Sequence, residues 1–261
     1  MGALRRIATI AHHTFKESVR ERVLYNLIVF ALLLMGAAIL FGSISVGIEQ
    51  VILVNLGLSS ISVFGVLMAI FIGIGLVSKE IERRTLYNIL SKPVSRPEFL
   101  LGKYCGLLLT LVINTAIMTG GFYLALLYQK RHLEFADLLA LEAVYFILLQ
   151  LALVVGLALL FSCISTPILS AVFTFSVYVI GNFLGDIRWF GQETHSPGVE
   201  KLTGVLYYLL PNFSNFNVIT RVAHGLAIPG YLLWSNTLYA LLYVSILLSG
   251  AILIFEEREF R

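Results

Sequence analysis

The sequence has little charge, little proline and only two cysteines for its length. Of its 261 residues, 59% are hydrophobic and 13% are charged, whereas a soluble domain averages about 25% charge. A water-soluble fold could not cover this much apolar surface, so the composition indicates an all-α membrane protein. Cys105 and Cys163 form no CxxC or Cys/His cluster, and we interpret both as packing residues.

The signatures of soluble catalytic sites are missing as well. The sequence contains no Walker A motif, no GxSxG, no HExxH and no GxGxxG that opens a helix. We therefore expect no catalytic, cofactor-binding or metal-binding residue in this chain. The glycine pairs Gly102–Gly106 and Gly181–Gly185 have the spacing that permits close helix packing in membranes, and we assign no dimer face to either.

What the sequence does have is long uncharged runs. A membrane span needs about 20 mostly apolar residues. The run at 143–185 is long enough for two spans, and Pro167 with its hydroxyl neighbours favours a turn between them. Six spans are predicted, at roughly 24–42, 53–77, 104–128, 142–161, 168–185 and 236–255.

No predicted span carries a central Asp, Glu, Lys or Arg. Carriers driven by a proton or sodium gradient usually need ionisable groups near the midplane, so a secondary carrier is disfavoured. The polar residues inside the spans are neutral, and we interpret them mainly as interhelical hydrogen-bond partners: Asn55, Asn114, Gln150, Asn182 and Asn236.

Basic residues are distributed unevenly between the two sides of this arrangement. Thirteen of the 18 Lys and Arg fall on the side that holds both termini and the 79–103 loop. We expect the chain to lie in the cytoplasmic (inner) membrane. The positive-inside rule then predicts that both termini are cytoplasmic. Residues 1–22 lack the apolar stretch of a cleavable signal peptide and predict a basic amphipathic helix in the membrane interface. Residues 23–261 would form the transmembrane domain.

The 79–103 loop has a pattern of its own. Residues 80–90 predict a short helix with an apolar face, and Lys92-Pro93 ends it. Ser95, Pro97 and Glu98 then have the pattern of a helix start. We favour an ordered docking element for a soluble partner over the alternative, a solvated connector with snorkelling basic residues.

The same loop carries a family resemblance. Glu80-x-Glu82-x-x-Thr85-Leu86, Leu90-Ser91-Lys92-Pro93-Val94-Ser95-Arg96 and Leu101-Gly102-Lys103-Tyr104 resemble the loop after span two in ABC-2 type transporter permeases. The branch that includes the permease of nitrous oxide reductase maturation looks most similar. The resemblance implies two permease copies, with ATP and magnesium bound by separate ATP-binding subunits that dock on a coupling helix. The coupling residues would be Glu80, Glu82, Arg83, Arg84, Thr85, Leu86, Tyr87, Ile89, Leu90, Lys92, Pro93 and Arg96.

The stretch 186–235 is the second informative region, because it is rich in aromatic residues that suit a membrane interface. We interpret it as re-entrant or interfacial helices near 199–210 and 215–226, with a collapsed surface loop as the alternative. Such a cap could close a pore exit or receive an accessory protein. Its central segment consists of Pro211, Asn212, Phe213, Asn215 and Phe216.

Together these features predict the permease subunit of an ATP-driven transporter, by analogy an exporter. Its expected partners are an ATP-binding subunit, a second permease copy and membrane lipid. Nothing in the sequence suggests nucleic acid as a partner, because the net charge of +3 reflects topology. The alternatives are a secondary carrier and a membrane scaffold protein.

Overall fold

The computed structural model describes residues 2–45, 47–82, 95–132, 134–194 and 196–257, and these residues form helices and turns without strands. Short 3-10 turns lie at Phe135–Leu138 and Phe213–Phe216. The α-helices are α1 Ala3–Val19, α2 Arg22–Ile44, α3 Glu49–Glu82, α4 Arg96–Lys130, α5 Leu139–Ile164, α6 Pro167–Asn182, α7 Leu184–Glu193, α8 Pro197–Leu209, α9 Ile219–Ala223 and α10 Gly230–Glu257.

Five helices within the described ranges are long and apolar enough to cross a membrane: α2, α3, α4, α5 and α10. Each contains one of the predicted spans. The predicted span 168–185 corresponds to α6 and the start of α7, which pass the same test together but are bent by 59°. The chain is therefore an all-helical integral membrane protein, and the count of six spans stays a prediction.

The centre of the bundle is formed by α3 and α5. In their most apolar stretches, 72% of α3 and 67% of α5 are buried, against 22% for α2 and 28% for α10. Outward-facing side chains of α2 and α10 such as Phe30, Leu33 and Ile246 are more than half exposed. Because α2 and α10 are apolar on exposed faces as well as buried ones, these helices suit a lipid environment.

The turn between α5 and α6 satisfies its polar groups locally. The Ser170 hydroxyl donates to the Phe161 carbonyl at 2.9 Å, and the Ser165 and Ser170 hydroxyls are 2.8 Å apart. Pro167 is at the start of α6, where its missing N–H has no intrahelical partner to lose. The predicted break at 162–167 is therefore confirmed, and the serines there satisfy a carbonyl that the end of a helix leaves open.

From α2 onward, the long apolar helices alternate in direction, namely α2, α3, α4, α5, α6 and α10, and this defines two ends of the bundle. Along the chain, the end of α3 and the start of α4 flank residues 83–94. The end of α10 lies beside the start of α4, where Phe99 and Phe255 stack. We call this the loop end. The opposite far end holds the end of α4 and the chain between α6 and α10.

The 35 residues of α4 would span about 52 Å, more than the roughly 30 Å of a hydrocarbon core. Its charged residues Arg96, Glu98 and Lys103 lie in its first turns at the loop end. Those turns therefore extend beyond the apolar layer. The uncharged stretch 104–129, which ends just before Lys130 at the far end, is long enough to cross it.

Candidate functional site

The predicted coupling residues fall on both sides of a stretch that the structure does not describe. Glu80 and Glu82 belong to the last turns of α3, which continues unbroken from its membrane span, and Arg96 opens α4. The helix predicted to begin at Glu80 therefore starts as an extension of α3. The other predicted coupling residues lie outside the described residues: Arg83, Arg84, Thr85, Leu86, Tyr87, Ile89, Leu90, Lys92 and Pro93.

The start of α4 is fixed by Glu98. Its Oε2 accepts from the backbone N–H of Ser95 at 3.1 Å, as the sequence pattern predicts for a capped helix start. The same carboxylate receives two hydrogen bonds from the Arg6 guanidinium, at 2.9 and 2.6 Å. This bidentate geometry is specific to arginine, and the hydrogen bond to Glu98 raises the pKa of Arg6. Glu98 therefore holds both the loop boundary and the N-terminal helix.

Further along both helices from this ion pair, α1 packs against α4 through small residues, a contact that we call the seam. A Cβ on Gly102 would lie 2.7 Å from the Ile10 Cβ, and one on Gly106 would lie 2.6 Å from both the Ala11 carbonyl oxygen and the Thr14 Cβ. Contacts advance in the same direction on both helices, so α1 and α4 run parallel. The Gly102–Gly106 pair serves a helix contact within the chain, and the contact buries Thr14 and Ser18.

The apolar face of the amphipathic helix predicted at 1–22 is only partly the face that packs against α4. Ile7 and Ala11 lie at the seam, but Leu4 is 83% exposed and Ala8 is also exposed. Two apolar edges therefore exist on α1: one against α4, the other free to meet lipid. Interfacial placement of α1 stays a prediction, and its free apolar edge is consistent with it.

A second charged group, Lys103, is buried where α1 packs against α4. The ammonium of Lys103 lies 3.7 Å from the Glu17 carboxylate, with its side chain 4% exposed, and 5.7 Å from the centre of the Phe99 ring. Lysine is almost never fully buried without a partner. Glu17 and the ring together stabilise this charge.

The end of α10 completes the loop end. Arg96 donates to the Phe255 carbonyl at 2.7 Å, and its guanidinium lies 6.0 Å from the centre of that ring. Phe99 stacks on Phe255 with 6.1 Å between centroids, and Cys163 is fully buried in the same cluster. We call these contacts between α1, the start of α4 and the end of α10 the loop junction. It anchors the chain directly after residues 83–94 to both terminal helices.

At the far end, the segment Pro211–Phe216 is built into the bundle, and we call it the outer segment. Phe213 and Phe216 are 0% and 1% exposed. The Asn212 N–H donates to the Tyr239 hydroxyl, and the Asn236 side chain donates to the Asn215 carbonyl, both at 2.8 Å. These contacts place all five predicted residues between α6 and α10, with Asn215 exposed.

The helices around the outer segment differ from the predicted pair. The helix predicted at 199–210 is present as α8. In place of one helix at 215–226 there is a 3-10 turn followed by the five-residue α9. Asn212 accepts from the backbone of Ser214, which favours a turn over a helix, and Gly225 has a φ of 69° just after α9. Burial of Phe213 and Phe216 argues against the collapsed surface loop for this segment, while interfacial placement of the surrounding helices stays a prediction.

Two other features mark the far end. The partly exposed Lys130 and the buried Asp137 form an ion pair at 2.7 Å. Lys130 also lines an open cleft of about 360 Å³, together with Glu49, Gln50 and Gln129. The hairpin of α7 and α8 packs through Gly191 and Thr203 and exposes several aromatic side chains to the surroundings. Among the described residues, no group of three His, Cys, Asp or Glu side chains is arranged to hold a metal ion.

Sequence reasoning missed Arg6, Glu17 and Phe255 as parts of the loop junction. Their partners are more than 80 residues away along the chain. The one available signal was the Gly102–Gly106 spacing, which indicates that some helix packs there but does not identify which one.

Comparison with known proteins identifies a family. A family model described as "ABC-2 family transporter protein" matches residues 8–260, nearly the whole chain. No curated protein matches the chain.

Proposed function

The chain belongs to the ABC-2 family of transporter proteins, and from this premise we propose that residues 79–103 are the docking site of a separate ATP-binding subunit. Membership makes the chain a membrane permease of an ABC transporter. The proposal adds where the ATP-binding subunit binds, that two permease copies assemble with it, and that the loop end faces the cytoplasm.

The loop junction is the observation that supports this docking site most directly. A loop that transmits force must be attached to rigid elements on both sides. On one side α3 enters the loop as an uninterrupted helix. On the other side Arg96 and Glu98 bind α10 and α1 within the first turn of α4. A solvated connector has no need of these anchors, so they favour a coupling element.

We further propose that transport is directed outwards and ends at the outer segment. The outward direction rests on analogy with the family. The outer segment suits an exit because it is enclosed by α6 and α10 at the end opposite the loop.

The test is loss of docking in a double variant. Leu86 and Tyr87 are apolar residues of the proposed coupling helix, and burying one such side chain contributes about 1.5–3 kcal/mol. Replacing both by Ala should weaken binding of the co-expressed ATP-binding subunit by more than tenfold. Binding is measured by titration of the purified chain in nanodiscs.

Lys201→Ala is the matched control, because Lys201 is an exposed residue of α8 at the far end and should not affect docking. If the double variant binds the ATP-binding subunit as tightly as the parent chain, the loop is a connector and the docking site is elsewhere.

A further inference from the structure

A buried hydrogen-bonded contact joins three helices at the centre of the bundle. Gln150 on α5 is 4% exposed. Its side-chain N–H₂ donates to the Ser62 hydroxyl on α3 at 3.3 Å and to the Tyr178 hydroxyl on α6 at 3.2 Å. Inside a membrane, no water is available to hydrogen-bond with a polar group that lacks a protein partner. Each of the three helices is therefore restrained by the other two at this point.

Tyr178 carries this restraint to the outer segment. Its ring lies 5.2 Å from that of Phe213, measured between centroids. One turn further along α6, a Cβ on Gly181 would lie 2.5 Å from both the Pro211 carbonyl oxygen and the Phe213 ring. The backbone of the outer segment therefore rests directly on the face of α6 that Tyr178 fixes.

The opposite side of the outer segment is held by α10, through Tyr239 and Asn236. Gln150 makes no hydrogen bond to α10 among those of the described residues. The outer segment thus has two supports, one on α10 and one on α6. The second is connected through Gln150 to Ser62, which belongs to the helix that leads into residues 83–94.

We propose that Gln150 is a positioning residue for transport: through Tyr178 it sets the position of the outer segment relative to α3. Movement of α3 at the loop end then reaches the far end through side-chain contacts that are already made. This inference rests on the proposed function for its role in transport, whereas the positional part stands on the contacts alone.

Tyr178→Phe is the sharpest perturbation, because it removes one hydroxyl and leaves the ring against Phe213. The probe is a membrane-impermeant maleimide that labels Asn215→Cys, an exposed position of the outer segment. The full chain carries Cys105→Ser and is held in nanodiscs, where both faces are accessible. Loss of the hydrogen bond to Gln150, together with the hydroxyl's side-chain contacts to Ser62 and Asn182, should speed labelling by at least about fivefold. Gln150→Leu removes both contacts and should speed it at least tenfold.

The matched control is Tyr104→Phe. Tyr104 is a buried tyrosine whose hydroxyl, like that of the partly buried Tyr178, joins two helices, here through the Ala152 carbonyl at 3.3 Å, but it does not contact the outer segment. It should leave the labelling rate of Asn215→Cys unchanged. If Tyr178→Phe labels at the parent rate, the proposal is overturned. Equal acceleration by Tyr104→Phe would also overturn it, because the effect would then reflect general loosening.

A second arm separates this proposal from the proposed function. The parent complex with its ATP-binding subunit should change its labelling rate when ATP is added, and Tyr178→Phe should reduce that response. A parent that does not respond to ATP argues against ATP-driven coupling, whereas the labelling rates without ATP still decide whether Gln150 positions the segment. A response of full size in Tyr178→Phe would contradict the transmission role.

Discussion

The seam between α1 and α4 allows a prediction that compares two glycine-to-alanine variants of α4, so that the gain in helix propensity cancels between them. An alanine at Gly106 would place its Cβ 2.6 Å from the backbone oxygen of Ala11 and from the Thr14 Cβ, well inside van der Waals contact. Neither atom is the end of a flexible side chain, so α1 must move away. Gly120 lies on the same helix, and a Cβ there would meet nothing within 4 Å.

Replacing glycine by alanine in a helix interior contributes up to about 1 kcal/mol of stability through helix propensity, and this gain is shared by Gly106→Ala and Gly120→Ala. Overpacking costs about 1–3 kcal/mol and falls on Gly106→Ala alone. The difference between the two variants is therefore the overpacking cost of the seam, about 1–3 kcal/mol. Gly120→Ala should be neutral or slightly stabilised.

Hydrogen exchange of the chain in nanodiscs gives the local measurement. A cost of about 1.4 kcal/mol corresponds to a tenfold change in an equilibrium constant, so amides of α1 should exchange about five- to a hundredfold faster in Gly106→Ala than in Gly120→Ala. Amides at the centre of α5 should exchange equally in both. Equal protection of α1 in the two variants would refute the tight seam.

Two further predictions concern the far end. Lys130→Ala leaves the buried Asp137 carboxylate without its ion-pair partner and should destabilise the chain by about 3 kcal/mol in thermal unfolding, whereas Lys130→Met combined with Asp137→Leu should recover most of the loss. A Lys130→Ala variant as stable as the parent would show that the pair contributes nothing. Single cysteines at residues 85–95 should be labelled only from the cytoplasm and Gln192→Cys only from outside, and the reverse pattern would invert the topology.

Local chemistry explains what the sequence predicts well. The start of α4 follows from Ser95, Pro97 and Glu98, because a capped helix start depends on residues within one turn of each other. The break between α5 and α6 follows from Pro167 in the same way. The span positions follow from charge alone, since a bilayer excludes charged residues from long stretches of chain.

The remaining features depend on contacts between distant residues. Asn and Gln inside spans indicate interhelical hydrogen bonds, and Gln150 does make them, but its partners Ser62 and Tyr178 cannot be read from its neighbours. Likewise Glu98 is recognisable as a capping residue, whereas its pairing with Arg6 depends on how α1 is placed. The polar groups of the outer segment would be costly in lipid, yet only the structure shows Tyr239 as a hydrogen-bond acceptor for them.

The parallel seam also has a consequence for the order of events during synthesis. About 80 residues separate the end of α1 from the start of α4, so at roughly 5–20 residues per second the ribosome delivers α4 some 4–16 s after α1. In that interval α1 has no partner for Ile10 or Thr14. Its basic charge and its apolar edge at Leu4 and Ala8 suit α1 to bind the membrane surface until α4 has been synthesised. Surface binding and docking on α4 are then successive stages of one helix's maturation, and a seam variant should leave the first stage intact while it delays the second.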